Sequence, residues 1–84
     1  MFTAQDVLAD VHREIKKPIW ASRRAYYERI LARSAWPPMI DKEIARCAED
    51  AEWQEADMRA HVYVLVMSSL NSLWWFSRHT EGAR

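Results

Sequence analysis

The sequence predicts an all-α fold, a small bundle of three to four helices with a long or kinked C-terminal helical segment. Half of the 84 residues are apolar and only one is glycine, so the hydrophobic content is ample for a folded core. No glycine or proline interrupts the stretch between Pro38 and Arg78. Apolar side chains recur along it at steps of three or four residues, which is typical of a helix with one buried face.

Chain length and charge distribution limit how this fold can be organised. Residues 1–84 are expected to form a single helical domain, and because a monomer of this size has a thin core, part of the apolar excess is predicted to lie at an interface. Basic residues are in excess up to Pro38 and acidic residues after it, although the net charge is zero. The two segments are therefore expected to lie against each other, within one chain or across a dimer.

The N-terminal sequence predicts a first helix over residues 4–16. Thr3 and Asp6 have the spacing of a capping box, and Phe2 and Val7 have the spacing of a hydrophobic staple. Pro18 disfavours helical geometry at the residue before it, so the helix is expected to end there.

A second helix is predicted over residues 19–35, with Pro18 as its first helical residue. Trp20 and Tyr27 lie on its apolar face, while its arginines fall largely off that face and are predicted to form a basic outer surface. These arginines are Arg23, Arg24, Arg29 and Arg33. The Trp36-Pro37-Pro38 sequence is expected to turn the chain, because proline interrupts a helix.

The apolar stripe after the prolines predicts helices over residues 39–58 and 60–78. A single continuous helix would be about 60 Å long and would need a partner along its length. A bend near Asp57 to Ala60, or at the Ser68-Ser69 pair, would instead give a four-helix globule. The sequence leaves both arrangements open.

The sequence favours a cytoplasmic protein without membrane contact. No N-terminal stretch resembles a secretory signal peptide, and with Cys47 as the only cysteine no intrachain disulfide is expected. The uncharged run from Ala60 to Ser77 ends near Trp74 and Trp75, which suggests a small membrane-associated protein as an alternative. The serines and the asparagine in the middle of this run make it too polar for a span.

No catalytic constellation is visible, so we predict a non-enzymatic protein with no cofactor and no metal. Asp57 and His61 share a helix face, a spacing that suits two metal ligands, but a helix-stabilising ion pair explains it as well. Asp10 and Glu14 belong to a carboxylate row on the first helix that pairing with neighbouring basic residues explains. Cys47 has no histidine nearby in sequence and is expected in the core.

Protein recognition is the predicted mode of action, because the chain is rich in aromatic residues and these are enriched in binding hot spots. One tryptophan lies outside the main stripe within an acidic segment, and this set predicts a partner-binding surface: Trp53, Glu49, Asp50, Glu52 and Asp57. Such a surface suits a basic groove on a host or cognate protein. The alternative is that Trp53 packs against Trp20 or Tyr27 of the basic helix.

The last predicted helix is expected to supply a homodimer interface, because its uncharged face is larger than a small monomer needs to cover. The predicted interface residues are Val62, Leu65, Val66, Leu70, Leu73 and Trp74.

The predicted function is therefore that of a small helical protein that binds and modulates another protein, and most simply inhibits it. Small phage and mobile-element inhibitors, anti-defence factors and adaptors share this size and this lack of visible chemistry. The alternative is a nucleic-acid-binding regulator, in which the arginines of the second helix contact phosphates while Tyr26 and Tyr27 stack on bases.

Overall fold

The computed structural model describes residues 1–82, and within this range it is all-α. The helices are α1 (Ala4–Ile15), α2 (Arg24–Leu31), α3 (Trp36–Ala48) and α4 (Glu55–Gly82), with a short 3-10 turn at Pro18–Trp20 between α1 and α2. The predicted small bundle with a long C-terminal helix is confirmed. The described chain measures 47 × 25 × 22 Å along its principal axes, because α4 is much longer than the helices beside it.

The core lies where the first part of α4 packs against α1, α2 and α3. Each helix contributes the apolar stripe of its sequence, and the most completely buried side chains include one tyrosine and one cysteine among aliphatic residues. They are Tyr27, Ile15, Ile30, Leu70, Val7, Val11, Val62 and Cys47. None of the buried side chains in the described part of the core is charged.

The predicted start of α1 is confirmed. The Asp6 carboxylate accepts a hydrogen bond from the Thr3 amide at 2.8 Å, within a capping box. Phe2 and Val7 are both buried, as a hydrophobic staple requires. The helix ends at Ile15, one residue earlier than expected.

The predicted second helix over residues 19–35 is wrong in extent, because a tight reversal occupies its first turn. The Arg24 guanidinium donates hydrogen bonds to the backbone carbonyls of Ile15, Lys16 and Lys17 at 2.6 to 3.1 Å. The last carbonyls of a helix lack intrahelical partners, and Arg24 supplies donors to those at and just after the end of α1, although the Lys17 carbonyl also accepts from the Trp20 amide. A helix starting at Ile19 would carry Arg24 away from them, so the regular helix begins only at Arg24.

The prediction that the chain turns at Trp36-Pro37-Pro38, with the next helix beginning at residue 39, is also wrong. These residues form the first turn of α3, where the missing proline N–H groups have no helical acceptor to satisfy. The Trp36 indole N–H donates to the Ile30 carbonyl at 2.8 Å and so ties the start of α3 to α2. The helix predicted over residues 39–58 thus begins three residues earlier and ends at Ala48.

The break between α3 and α4 lies at residues 49–54, and neither Asp57 to Ala60 nor Ser68-Ser69 bends the chain out of its helix. Asp50 directs the break: its carboxylate accepts from the Glu52 amide at 3.0 Å, and its carbonyl accepts from the Trp53 amide at 3.2 Å. Aspartate stabilises a turn in this way without glycine or proline. The predicted helix over residues 60–78 is therefore the interior of α4.

Candidate functional site

The most distinctive surface is an apolar side of α4 that the bundle leaves uncovered. We call it the open face and define it by residues that share one side of the helix at spacings of three and four. It comprises Leu65, Ser69, Ser72, Leu73 and Phe76. Phe76 is 72% exposed and Leu65 is 40% exposed.

Helix length explains why the C-terminal part of this face, at Leu73 and Phe76, is open. The 28 residues of α4 span about 42 Å. The 12 residues of α1 and the 13 of α3 span only about 18 and 20 Å. The apolar stripe nevertheless continues past the end of the bundle, so exposure rises from 0% at Leu70 to 36% at Leu73 and 72% at Phe76.

A groove joins the open face to the start of α3. It encloses about 530 Å³, and apolar side chains of both helices line it, among them Trp36, Met39, Leu65 and Leu73. Serines of α4 form part of its wall, and Arg33 stands at its edge. No acidic side chain in the described range forms a salt bridge with Arg33. The groove thus combines an apolar floor with one positive charge.

The predicted dimer-interface set is divided by the structure and needs correction. Val62, Val66 and Leu70 are at most 3% exposed and lie in the intramolecular core, because they face α1 and α3 rather than solvent. Leu65 and Leu73 are on the open face. Trp74 is half-buried beneath the Arg23 guanidinium, which lies 3.8 Å from the centre of the Trp74 ring.

The predicted partner-binding set lies at the loop between α3 and α4 and the first turn of α4. Its four acidic residues, Glu49, Asp50, Glu52 and Asp57, are exposed. Trp53 is half-buried and its ring lies tilted against that of His61, with ring centres 5.0 Å apart. Among the described aromatic pairs, Trp53 is paired with His61 and not with Trp20 or Tyr27. Part of the Trp53 ring is therefore unavailable to a partner in this conformation.

His61 belongs to a polar cluster that the sequence did not indicate. Its Nε2 lies 3.6 Å from Glu43 Oε1, and Cys47 Sγ lies 3.8 Å from the same oxygen. Asp57, the expected ionic partner of His61, is not its partner in the described salt bridges, so that assignment is corrected. Glu43 and Cys47 lie one turn apart on α3 and His61 lies beyond the chain reversal, so local sequence patterns could not connect them.

Two charge effects act within this cluster. Hydrogen bonds from Arg46 hold the pKa of Glu43 below its ordinary value, so Glu43 is a carboxylate at neutral pH. Burial, together with the negative charge of Glu43, raises the pKa of the Cys47 thiol. The sulfur therefore carries its proton when nothing else is bound.

The arginines of α2 form a weaker basic surface than the sequence suggested. Arg24 is committed to the carbonyls at the end of α1. Arg23 is committed to α4, where it stacks on Trp74 and donates to Asn71 Oδ1 at 3.4 Å. Only Arg29 and Arg33 are exposed, which leaves two of the four predicted phosphate contacts available.

The carboxylates of α1 pair with basic side chains. Asp10 accepts two hydrogen bonds from Arg59 of α4, at 2.8 and 2.9 Å, and one from Arg13 at 3.2 Å. Glu14 pairs with Lys17 at 2.9 Å and also accepts from the Trp20 indole. The predicted local pairing is present, and Arg59 adds a link between helices. The Asp10–Arg59 pair is not an example of the expected contact between a basic N-terminal segment and an acidic C-terminal segment. Here the acidic residue lies in the N-terminal segment and the basic residue in the C-terminal one.

The comparisons with known proteins add no relative: no family model, no curated protein and no solved structure matches the chain. In the described range, no helix has both the length and the apolar character needed to cross a membrane.

Proposed function

We propose that this protein is a non-enzymatic binding protein that docks onto another protein through the open face of α4 and modulates it. The observation that carries the proposal is the continuation of the core-facing stripe of α4 beyond the helices that cover it. The buried stripe residues Val62, Val66 and Leu70 are followed at helical spacing by Leu73 and Phe76, which are exposed. A contiguous apolar surface of this kind marks an interaction site.

The groove beside the open face favours an amphipathic helix as the docking element of the partner. Such helices place apolar anchors into a groove at spacings of three, four and seven residues. The small serine side chains along α4 permit close approach, and Met39 supplies an adaptable apolar wall. The exposed Arg33 at the edge of the groove favours a partner helix that carries a carboxylate beside its apolar stripe.

Inhibition is the simplest mode of modulation for a protein of this size. A docked bundle with a 42 Å helix blocks whatever else uses the same partner surface, and it needs no chemistry to do so. This is the manner in which a phage or mobile-element inhibitor, an anti-defence factor or an adaptor would act. The acidic surface around Trp53 remains a second predicted contact for a basic partner.

The experiment compares three tagged forms of the protein: wild type, Phe76→Asp and Val64→Asp. Val64 is the matched control, because it is a 54% exposed apolar residue of the same helix on another side. Each form is checked for helicity and melting, then used to capture proteins from nuclease-treated lysate. Direct binding is afterwards measured with the purified captured protein.

We expect one stoichiometric protein to bind wild type and Val64→Asp, and Phe76→Asp to bind it at least tenfold more weakly. Equal binding by all three forms would contradict the proposal. A wild-type dimer that Phe76→Asp converts to a monomer would also contradict the proposal. Such a result would show that a second copy of the chain covers the open face.

A further inference from the structure

We propose that Glu43, Cys47 and His61 form a binding site for a divalent transition-metal ion of the Zn²⁺ type. Glu43 and Cys47 are four residues apart on α3, so their side chains lie on one face of the helix, and His61 reaches the same point from α4. The three potential ligand atoms all lie within 4.8 Å of one another. The site is separate from the open face of α4, and it does not depend on the proposed function.

The spacing of these atoms is close to that of a tetrahedral site. With metal–ligand bonds of about 2.0 to 2.3 Å, neighbouring ligands of a tetrahedral zinc ion are about 3.3 to 3.7 Å apart. Two of the observed separations are 3.6 Å, from His61 Nε2 to Glu43 Oε1, and 3.8 Å, from Cys47 Sγ to Glu43 Oε1. The third, from His61 Nε2 to Cys47 Sγ, is at most 4.8 Å. Binding of one ion therefore requires the three side chains to rotate until each ligand atom reaches bonding distance.

An unsatisfied histidine nitrogen points to a ligand at this place. In the described part of the chain, His61 Nε2 is the only buried side-chain nitrogen or oxygen that has no hydrogen-bond partner. An unpaired buried polar atom is costly, and native proteins rarely leave one without a reason. A metal ion bound to Nε2 removes this cost, and the Trp53 ring, tilted by 39° against His61 with centres 5.0 Å apart, limits rotation of the imidazole.

The donor set selects the class of metal. One thiolate, one imidazole and one carboxylate suit Zn²⁺ and its neighbours Co²⁺ and Ni²⁺, whereas Mg²⁺ and Ca²⁺ prefer oxygen ligands alone. The side chains of Glu43 and His61 are 26% and 33% exposed, which gives an ion a path from solvent. Three protein ligands leave a fourth position for water or for a side chain of a bound protein.

Arg46 competes with the metal for Glu43. Its Nε lies 3.1 and 3.2 Å from the two Glu43 carboxylate oxygens, so an ion must weaken this pair as well as displace the thiol proton of Cys47. Replacing Arg46 with glutamine frees the carboxylate and is expected to strengthen metal binding several-fold. If Glu43 only pairs with Arg46 and does not bind the metal, the Arg46→Gln substitution gives no gain in metal affinity.

The test is titration of the metal-free, reduced protein with Co²⁺, followed by displacement with Zn²⁺. We expect one Co²⁺ per chain, with the near-ultraviolet charge-transfer band of a cobalt–thiolate bond, and complete loss of that band when one equivalent of Zn²⁺ is added. Cys47→Ala removes the band, and His61→Gln weakens binding about 10- to 100-fold or more. His79→Gln is the matched control, because it alters an exposed histidine of the same helix, and it binds as wild type does.

Circular dichroism confirms that each variant is folded, and His61→Gln carries the test if Cys47→Ala does not fold. The proposal is overturned if wild type shows no thiolate band up to about 1 mM Co²⁺, an affinity too weak to matter. It is equally overturned if His61→Gln and His79→Gln bind the metal with the same affinity.

Discussion

Two parts of α4, which we call its first half (residues 55–70) and its second half (from Leu73 onward), share one helix and one apolar stripe but differ in what covers them. In the first half, Met58, Val62 and Val66 are at most 5% exposed because α1 and α3 pack on them. In the second half, Phe76 is 72% exposed, although the Leu73 carbonyl accepts a hydrogen bond from the Tyr26 hydroxyl at 3.1 Å and Trp74 packs against the core. Periodicity alone does not distinguish the halves, since both have the pattern of a buried helix.

This difference assigns the two halves separate roles. Burial of apolar surface stabilises the fold, so the first half carries the stability of the bundle. In the second half, the exposed side chains of Leu73 and Phe76 contribute little to folding, which makes their apolar surface costly to maintain unless another molecule covers it. This division predicts that substitutions in the first half reduce stability and that substitutions in the second half reduce binding.

The largest expected difference in stability is between the variants Leu70→Ala and Phe76→Ala. Leu70 is completely buried, so its truncation removes apolar contacts and leaves a cavity, and we expect a loss of about 2 to 5 kcal/mol in the free energy of unfolding. Phe76→Ala removes a larger side chain from an exposed position and is expected to change stability by less than about 0.5 kcal/mol. Urea denaturation of both variants measures the contrast. Equal losses would mean that the second half of α4 also packs within the chain.

A smaller effect is expected at the ion pair that ties the first half of α4 to α1. Asp10→Asn weakens two hydrogen bonds from Arg59 and is expected to cost about 1 kcal/mol, between the values for buried charged hydrogen bonds and for surface pairs. Arg13→Ala is the matched control, since Arg13 touches the same carboxylate from an exposed position on α1 itself. No measurable loss is expected for the control.

The pH dependence of this pair has a defined sign. Hydrogen bonds from Arg59 hold the pKa of Asp10 below its ordinary value of 3.8, with burial acting in the opposite direction. The carboxylate therefore contributes stability that is present above this pH and is lost as the pH falls through the lowered pKa. The stability difference between wild type and Asp10→Asn should shrink in acid. A difference that stays constant from pH 6 to about pH 2 would show that charge is not its cause.

The parts of the fold that local chemistry determines could be predicted from the sequence. The start of α1 follows from the capping residues Thr3 and Asp6, and the helical class follows from the apolar spacing. The start of α3 was missed because Pro37 and Pro38 are compatible with a first turn as well as with a break. The break before α4 was missed because Asp50 makes the turn with its own hydrogen bonds, without any of the usual glycine or proline signals.

The open face and the Glu43–Cys47–His61 cluster depend on how the helices pack, so they were harder to predict from the sequence than the fold. Leu70 and Leu73 are alike in sequence, and only the end of the neighbouring helices decides that one is core and the other is surface. Arg23 and Arg24 have the composition of a phosphate-binding surface, yet their donors are used within the chain. His61 meets Cys47 only because the loop at residues 49–54 reverses the chain, a relation between distant residues that helical periodicity does not contain.

Hydrogen–deuterium exchange of the purified protein, free and bound to the protein that it captures, tests the central claim most directly. In the free chain we expect slow exchange in α4 from Met58 to Leu70 and fast exchange after Leu73, because the second half has few packed contacts. On binding, protection should rise after Leu73 and remain unchanged at the loop of residues 49–54. Protection that rises at this loop alone, with the second half of α4 still exchanging fast, would contradict the account and place the partner on the acidic surface.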